Sequence, residues 1–193
     1  MKIIFATNNK NKVEEIKHLS HQKFQIFTLQ EVGIDIDIPE PHDTLEANAT
    51  EKSSTIYKLT NEAVFSEDTG LEVHALGGAP GVKSARYAGE GRNMQDNIDK
   101  LLQELKDKPS RTAQFRTVVS LIIEGKEYQF EGICKGHITH EMDGSNGFGY
   151  DPVFIPEGSN TTFANMDIAE KNKFSHRKKA VQQLIDFLNE YQA

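Results

Sequence analysis

The chain has one cysteine, Cys134, and no tryptophan among its 193 residues. A lone cysteine excludes an intrachain disulfide and any zinc site built from cysteines, so Cys134 in "EGICKGHIT" reads as a small core residue on a strand. Long apolar runs are missing as well. A membrane-crossing helix needs ~20 uninterrupted apolar residues, and no stretch reaches that length. The opening run Met1-Lys2-Ile3-Ile4-Phe5-Ala6 is too short for a signal peptide and meets polar Thr7-Asn8-Asn9 at once, so it reads as the first strand of a cytoplasmic protein. Basic charge is in deficit: 22 Lys and Arg stand against 29 Asp and Glu, a formal charge of −7. That balance repels a polyanion and argues against a broad nucleic-acid surface. A phosphate ligand would need a local basic cluster or a metal. Repeats, low-complexity tracts and linker-like stretches are absent too, so residues 1–193 read as one domain, long enough to bury a sizeable core.

What is present alternates between strand and helix patterns. "KIIFA" (2–6) reads as a buried strand, and Val13, Ile16 and Leu19 mark a helix starting near Asn9 or Lys10. "FQIFTL" (24–29) is a second strand. Asp43-Thr44-Leu45-Glu46 has capping-box spacing ahead of a helix over 47–60. "AVFSED" (63–68) and "LEVHAL" (71–76) read as two strands with a break at Gly70, and Ile98, Leu101, Leu102 and Leu105 share one face of a helix around 93–107. Two long strand-like stretches flank Gly125 as a β-hairpin, and a last helix capped by Ser175 runs to about Tyr191. Interleaved helices followed by a hairpin predict an α/β fold with a mixed sheet.

Four stretches carry chemistry. Thr7-Asn8-Asn9-Lys10-Asn11-Lys12 lies at a helix N-terminus, where unpaired N–H groups, hydroxyl and amide side chains and two lysines can cradle phosphate; it also fits a plain polar connection. In the second, strand alternation points Ser66 and Asp68 one way and Glu67 and Thr69 the other. Asp68 is expected to face solvent at the strand tip, with Glu40 supplying a further carboxylate. Such hard oxygen ligands suit Mg²⁺ bound to phosphates, although acids at a strand end are also commonly just solvated. In the third, Asn146-Gly147-Phe148-Gly149-Tyr150-Asp151-Pro152, glycines let a ligand approach the backbone and an aromatic ring can stack on a base; a tight turn with Phe148 in the core is the other reading. The fourth, Glu170 to Lys179, is rich in basic residues and read locally is a solvated face. The histidines add little: His137 and His140 with Glu141 lack the metalloprotease order, and His18, His21, His42 and His74 have no partner nameable from sequence.

Together, "TNNKNK", "SEDTGLEVHALGGAPGVKSARYAG", "NGFGYDP" and "EKNKFSHRKKA" resemble, in order and position, the inosine triphosphate pyrophosphatase family, over nearly the whole chain. The resemblance implies hydrolysis of non-standard purine nucleoside triphosphates (ITP, dITP, XTP) to the monophosphate and pyrophosphate. It implies a long twisted mixed β-sheet with flanking helices forming two lobes around a central cleft, a Mg²⁺ cofactor, a homodimer, and no nucleic-acid or membrane partner. By position, Thr7, Asn8, Asn9, Lys10, Asn11 and Lys12 match the triphosphate loop, Asp68 the catalytic carboxylate and metal ligand, and Glu40 an acid serving the same metal. Thr69, Phe148, Gly149, Tyr150 and Asp151 match substrate-contacting positions, with the last four at the purine; Lys171, His176 and Arg177 match the base pocket. Asn8 and Lys10 depart mildly from the small residues frequent there. Two other readings are hydrolysis of modified pyrimidine triphosphates, against which "FGYD" and "SHR" weigh, and nucleotide binding without turnover, which would not need Asp68.

Overall fold

The structure, a computed structural model, describes residues 1–19 and 24–191, apart from the side chains of His18 and Leu19. The readings of those two side chains and of His21 lie outside what it describes. Among the described residues seven strands form one mixed sheet: β1 (Lys2–Phe5), β2 (Gln25–Thr28), β3 (Val64–Val73), β4 (Pro80–Gly81), β5 (Thr112–Ile123), β6 (Lys126–Ile138) and β7 (Phe154–Pro156). Their order is β2-β1-β3-β5-β6-β7, with β4 also paired to β3. Five α-helices accompany them among the described residues: α1 (Lys10–Leu19), α2 (Leu45–Thr60), α3 (Met94–Glu104), α4 (Ile168–Phe174) and α5 (His176–Tyr191). No described helix is long and apolar enough to cross a membrane. The chain falls into two compact units, the first made of residues 1–68, 117–132 and 177–193 and the second of residues 69–116 and 133–176.

In the first unit β1 runs parallel to β2 and β3, pairing Ile4 with Phe27 and with Val64. Parallel strands covered on both faces require continuous apolar sequence, and Ile3, Ile4 and Phe5 are all buried. Phe5 stacks on its β3 partner Phe65, with ring centroids 4.5 Å apart. On one side these rings join Ile16 of α1 and Ala180, Val181, Leu184 and Leu188 of α5. On the other, Ile4, Ala6 and Val64 meet Ile56 of α2, joined by Ile34, Ile36 and Ile38, whose intervening residues Asp35 and Asp37 are exposed. The β5–β6 hairpin turns at Glu124-Gly125, both with positive φ (50° and 74°), the conformation a two-residue hairpin loop demands.

The second unit is built on Leu71 and Val73 of β3, Ile98, Leu101 and Leu105 of α3, and Phe115, Cys134, Phe154 and Phe163. Its α3 is capped by the Asn93 side chain, and Cys134 is buried in the core as expected.

Three local expectations are corrected. The break expected at Gly70 does not exist: β3 is one ten-residue strand, and His74–Leu76 is a single helical turn. Gly70 is there because a Cβ would lie 2.6 Å from the Gly81 carbonyl oxygen, so the glycine lets β4 approach rather than ending β3. The cap of α2 is Thr44, whose hydroxyl accepts from the Ala47 N–H at 3.2 Å, not Asp43 one residue earlier. Ahead of α5 stands the unexpected short helix α4, capped by Asp167 through the Glu170 N–H, with Ser175 between the two helices.

Candidate active site

In the first unit, the chain leaves β1 into the Thr7–Lys12 loop, which is ordered by its own side chains. The Asn9 carboxamide accepts from the N–H groups of Asn11 (3.1 Å) and Lys12 (3.3 Å), and so caps α1. Thr7 accepts from the Asn9 N–H, and the Asn8 amide donates to the Ile36 carbonyl at 2.8 Å. Lys10 and Asn11 are exposed. Lys12 is the member that turns inward, its ammonium 3.2 Å from Glu67.

The expected alternation along β3 holds, and it sorts charges onto two faces. On one face the Ser66 hydroxyl donates to the Ala49 carbonyl of α2 at 2.5 Å, and Asp68 meets Lys52 of the same helix at 3.3 Å. Lys52 also donates to Glu40 at 2.6 Å, so one ammonium bridges two carboxylates. On the other face Glu67 accepts from Arg177 Nε through both its oxygens (2.9 and 3.0 Å), and Arg177 in turn pairs with Glu15 of α1. Glu15, Arg177, Glu67 and Lys12 therefore form a file of alternating charge.

Burial gives these pairs their force. The expectation that Asp68 faces solvent is overturned: it is only 6 % exposed, because β3 continues for five residues beyond it and α2 covers its face. Burial pushes its carboxyl above the ordinary value, and Glu40 adds to this while Lys52 and Lys12 pull the other way. One of its oxygens, Oδ2, is buried without a hydrogen-bond partner. Burial acts against the Lys52 ammonium too, but Asp68 and Glu40 outweigh it and the net shift is upward. For Glu67 burial is likewise the largest influence, yet the charges and hydrogen bonds of Arg177 and Lys12 prevail and hold it at about 2. Arg177, 2 % exposed, is held above its ordinary value by Glu67 and Glu15.

The second unit gathers another cluster. Asp151 Oδ2 accepts from the Phe148 N–H (3.0 Å) and from the Lys171 ammonium (2.7 Å). Lys171 also lies over the rings of Phe148 and Phe163, 5.1 and 5.3 Å from their centroids. Gly147 makes this possible: it sits at φ 79°, and a Cβ there would lie 2.2 Å from Asp151 Oδ2. Phe148 is half-buried and can offer a ring face. Tyr150 is in the core with its hydroxyl donated to the Ser84 carbonyl (2.8 Å), so the backbone is what it can present. His176 is buried and stacks on Phe115 at 4.7 Å. Thr69, the first residue of this unit, is half-buried, and Gly149 has positive φ.

The sequence-predicted residues thus gather in two groups. Lys12, Glu40 and Asp68 belong to the first, with Glu67; Phe148, Asp151 and Lys171 belong to the second. Arg177 lies in the first unit, not in the second with Lys171. Two functional candidates escaped the sequence reading, Lys52 and Glu15. A signal existed for Lys52: it occupies the face of α2 shared by Leu45, Asn48, Ala49, Ser53 and Ile56, where an unpaired lysine would not be tolerated. Among the described residues no group of three or more His, Cys, Asp or Glu side chains could hold a metal; the carboxylates of Asp68 and Glu40 are joined by the Lys52 ammonium.

Comparison with known proteins gives this arrangement a context. The model of the Ham1 family matches residues 3–187. A Flavobacterium johnsoniae protein named dITP/XTP pyrophosphatase is 50% identical over 97% of this chain and 98% of its own, and a Porphyromonas gingivalis protein of the same name is 52% identical over 97% of each. Among solved structures, the Staphylococcus aureus Ham1 protein superposes with a TM-score of 0.90 at 37% identity, covering 99% of this chain and 100% of its own.

Proposed function

The chain belongs to the Ham1 family and is a pyrophosphatase of non-standard purine nucleoside triphosphates, and from that premise we propose how its residues divide the work. The observation that carries the proposal is the buried Asp68 carboxylate, with one oxygen unpartnered and two lysines near the other charges of its unit. Asp68 and Glu40 fit a Mg²⁺ ion: they are hard oxygen donors grouped at one ammonium, and Mg²⁺ typically takes one or two carboxylates and completes its shell with water and phosphate. When bound there, Mg²⁺ would neutralise phosphate charge and favour departure of pyrophosphate.

The chain's own residues do the rest. Lys12 and the N-terminus of α1 hold the phosphates. Asp68, its proton affinity raised by burial, orients a water and accepts its proton as the oxygen bonds to the α-phosphorus. The α–β anhydride bond breaks, and pyrophosphate leaves with the bonding electrons. Lys52 holds Asp68 and Glu40 together and opposes the effect of burial on Asp68. Phe148 stacks on the base, and Lys171 and His176 of the same unit contact it, while Arg177 serves the first unit by holding Glu67. Lys171 has donors only, so it satisfies a 6-oxo group and cannot pair with the 6-amino group of adenine. Loss of such a pairing in a buried site discriminates by ~10⁴-fold. The net charge of −7 suits an enzyme that acts without nucleic acid. It works in the cytoplasm as a homodimer, which light scattering would read as twice 21.7 kDa.

The decisive experiment compares kcat/KM across nucleotides with Mg²⁺ and identifies the products. ITP, dITP and XTP should be good substrates yielding pyrophosphate, GTP poor, and ATP and CTP poorer still. ATP turned over as fast as ITP, or orthophosphate as the product, would overturn the assignment.

A further inference from the structure

We infer that Glu67 is a positioning residue for Lys12, setting the place of its ammonium from the face of β3 opposite Asp68. This rests on the proposal that Lys12 binds the triphosphate.

Lysine is a flexible point charge on a four-carbon stem, and a loop at a helix N-terminus does not by itself fix where that charge sits. Here one contact does so. Lys12 lies 3.2 Å from Glu67, a residue whose side chain has no solvent exposure. Glu67 cannot follow the lysine, because both its oxygens are held by Arg177 Nε, and Arg177 is fixed from its other end by Glu15. The anchor is therefore rigid, and the lysine, with 14% of its side chain exposed, is the mobile partner at the open end of the file. The neighbouring acid is served differently. Asp68 turns to α2 and Lys52, so the two consecutive acids of β3 organise two separate lysines.

If Glu67 acts through Lys12, the two side chains share one contribution and their losses do not multiply. The test is a double-mutant cycle of Glu67→Gln and Lys12→Ala on kcat/KM for ITP. Each single variant should lose about 10- to 100-fold, the scale of one charge-assisted contact. The double variant should fall no more than about threefold below the weaker single. Losses that multiply, or a Glu67→Gln variant with wild-type kcat/KM and a lowered melting temperature alone, would overturn the inference and leave Glu67 a purely structural anion. Should Glu67→Gln fail to fold, Glu67→Asp serves in the same cycle, since it keeps the charge and shortens the reach by one methylene. Calorimetric binding of pyrophosphate to the same four proteins reads the coupling without turnover. A wild-type protein that binds pyrophosphate with the coupled pattern yet leaves ITP intact would refute the proposed reaction and not the role of Glu67.

Discussion

Replacing Lys52 by methionine keeps most of the stem's volume and deletes the charge that bridges Glu40 and Asp68. Lys52 is 6 % exposed and Asp68 the same, so solvent screens the stranded carboxylate only weakly. Removing one partner of a buried ion pair costs about 3–5 kcal/mol. A second route to the number is protonation, which limits what a stranded carboxylate can cost. From the ordinary aspartate value of 3.8, keeping the proton at pH 7 costs about 4 kcal/mol at 1.36 kcal/mol per unit. The two estimates agree. For a chain of this length ~1 kcal/mol moves the melting temperature by about 2–4 °C, so in EDTA the variant should melt about 8–16 °C below wild type.

The sign of the pH dependence follows. A carboxyl whose folded value is raised above its unfolded one destabilises increasingly as pH rises above the unfolded value. At pH 5.5 the same limit falls to about 2 kcal/mol, so the gap should roughly halve. Mg²⁺ should also narrow it, because without the competing ammonium the two carboxylates bind the cation more tightly than in wild type, and each tenfold in Kd is worth about 1.4 kcal/mol at saturation. Differential scanning fluorimetry at two pH values, with EDTA or 10-fold graded Mg²⁺ additions, reads all three effects. A gap under 2 °C in EDTA, or one indifferent to both pH and Mg²⁺, would refute the reasoning.

Asp68→Asn should lower turnover of ITP by at least ~10²-fold while the melting temperature in EDTA holds or rises, because a buried charge with an unpartnered oxygen is removed; substantial residual activity would move the chemistry to another carboxylate. Gly70→Ala drives a Cβ to 2.6 Å from the Gly81 carbonyl oxygen, where backbone must shift, and should cost about 1–3 kcal/mol by urea unfolding. An unchanged urea midpoint would show that β4 yields freely. Gly147→Ala collides with Asp151 Oδ2 and should displace the acceptor of Lys171, raising KM for ITP at least tenfold with little change in pyrophosphate binding; equal losses of both would mean that the Gly147 turn serves the whole fold.

Much of the architecture was legible because it depends on near neighbours. The unbroken apolar run of β1 requires burial on both faces, and the three-to-four-residue spacing of α3 and α5 requires one buried stripe. Alternation along β3 sends Glu67 and Asp68 to opposite faces whatever lies beyond them, and the structure keeps that division. Two local readings failed, one to a partner from another segment and one to backbone conformation. Gly70 resembles a strand end until Gly81 is seen against it, and Thr44 rather than Asp43 caps α2 because φ/ψ at the helix start, not residue type alone, selects the cap. Family motifs marked Lys12, Asp68, Asp151 and Lys171 by position, without saying what any of them touches.

The sequence by itself thus determined the elements, their faces and the residue types at hand, since these follow from backbone geometry and periodicity over a few residues. Only the tertiary structure decided the partners. Arg177 and Glu67 are 110 positions apart, Asp151 and Lys171 are 20, and Lys52 meets Asp68 across 16. Burial was decided there as well, and it turns Asp68 from an acid expected in water into a carboxyl with raised proton affinity. A charge's partner and its dielectric surroundings depend on which segments the fold brings together, and no local pattern carries that information.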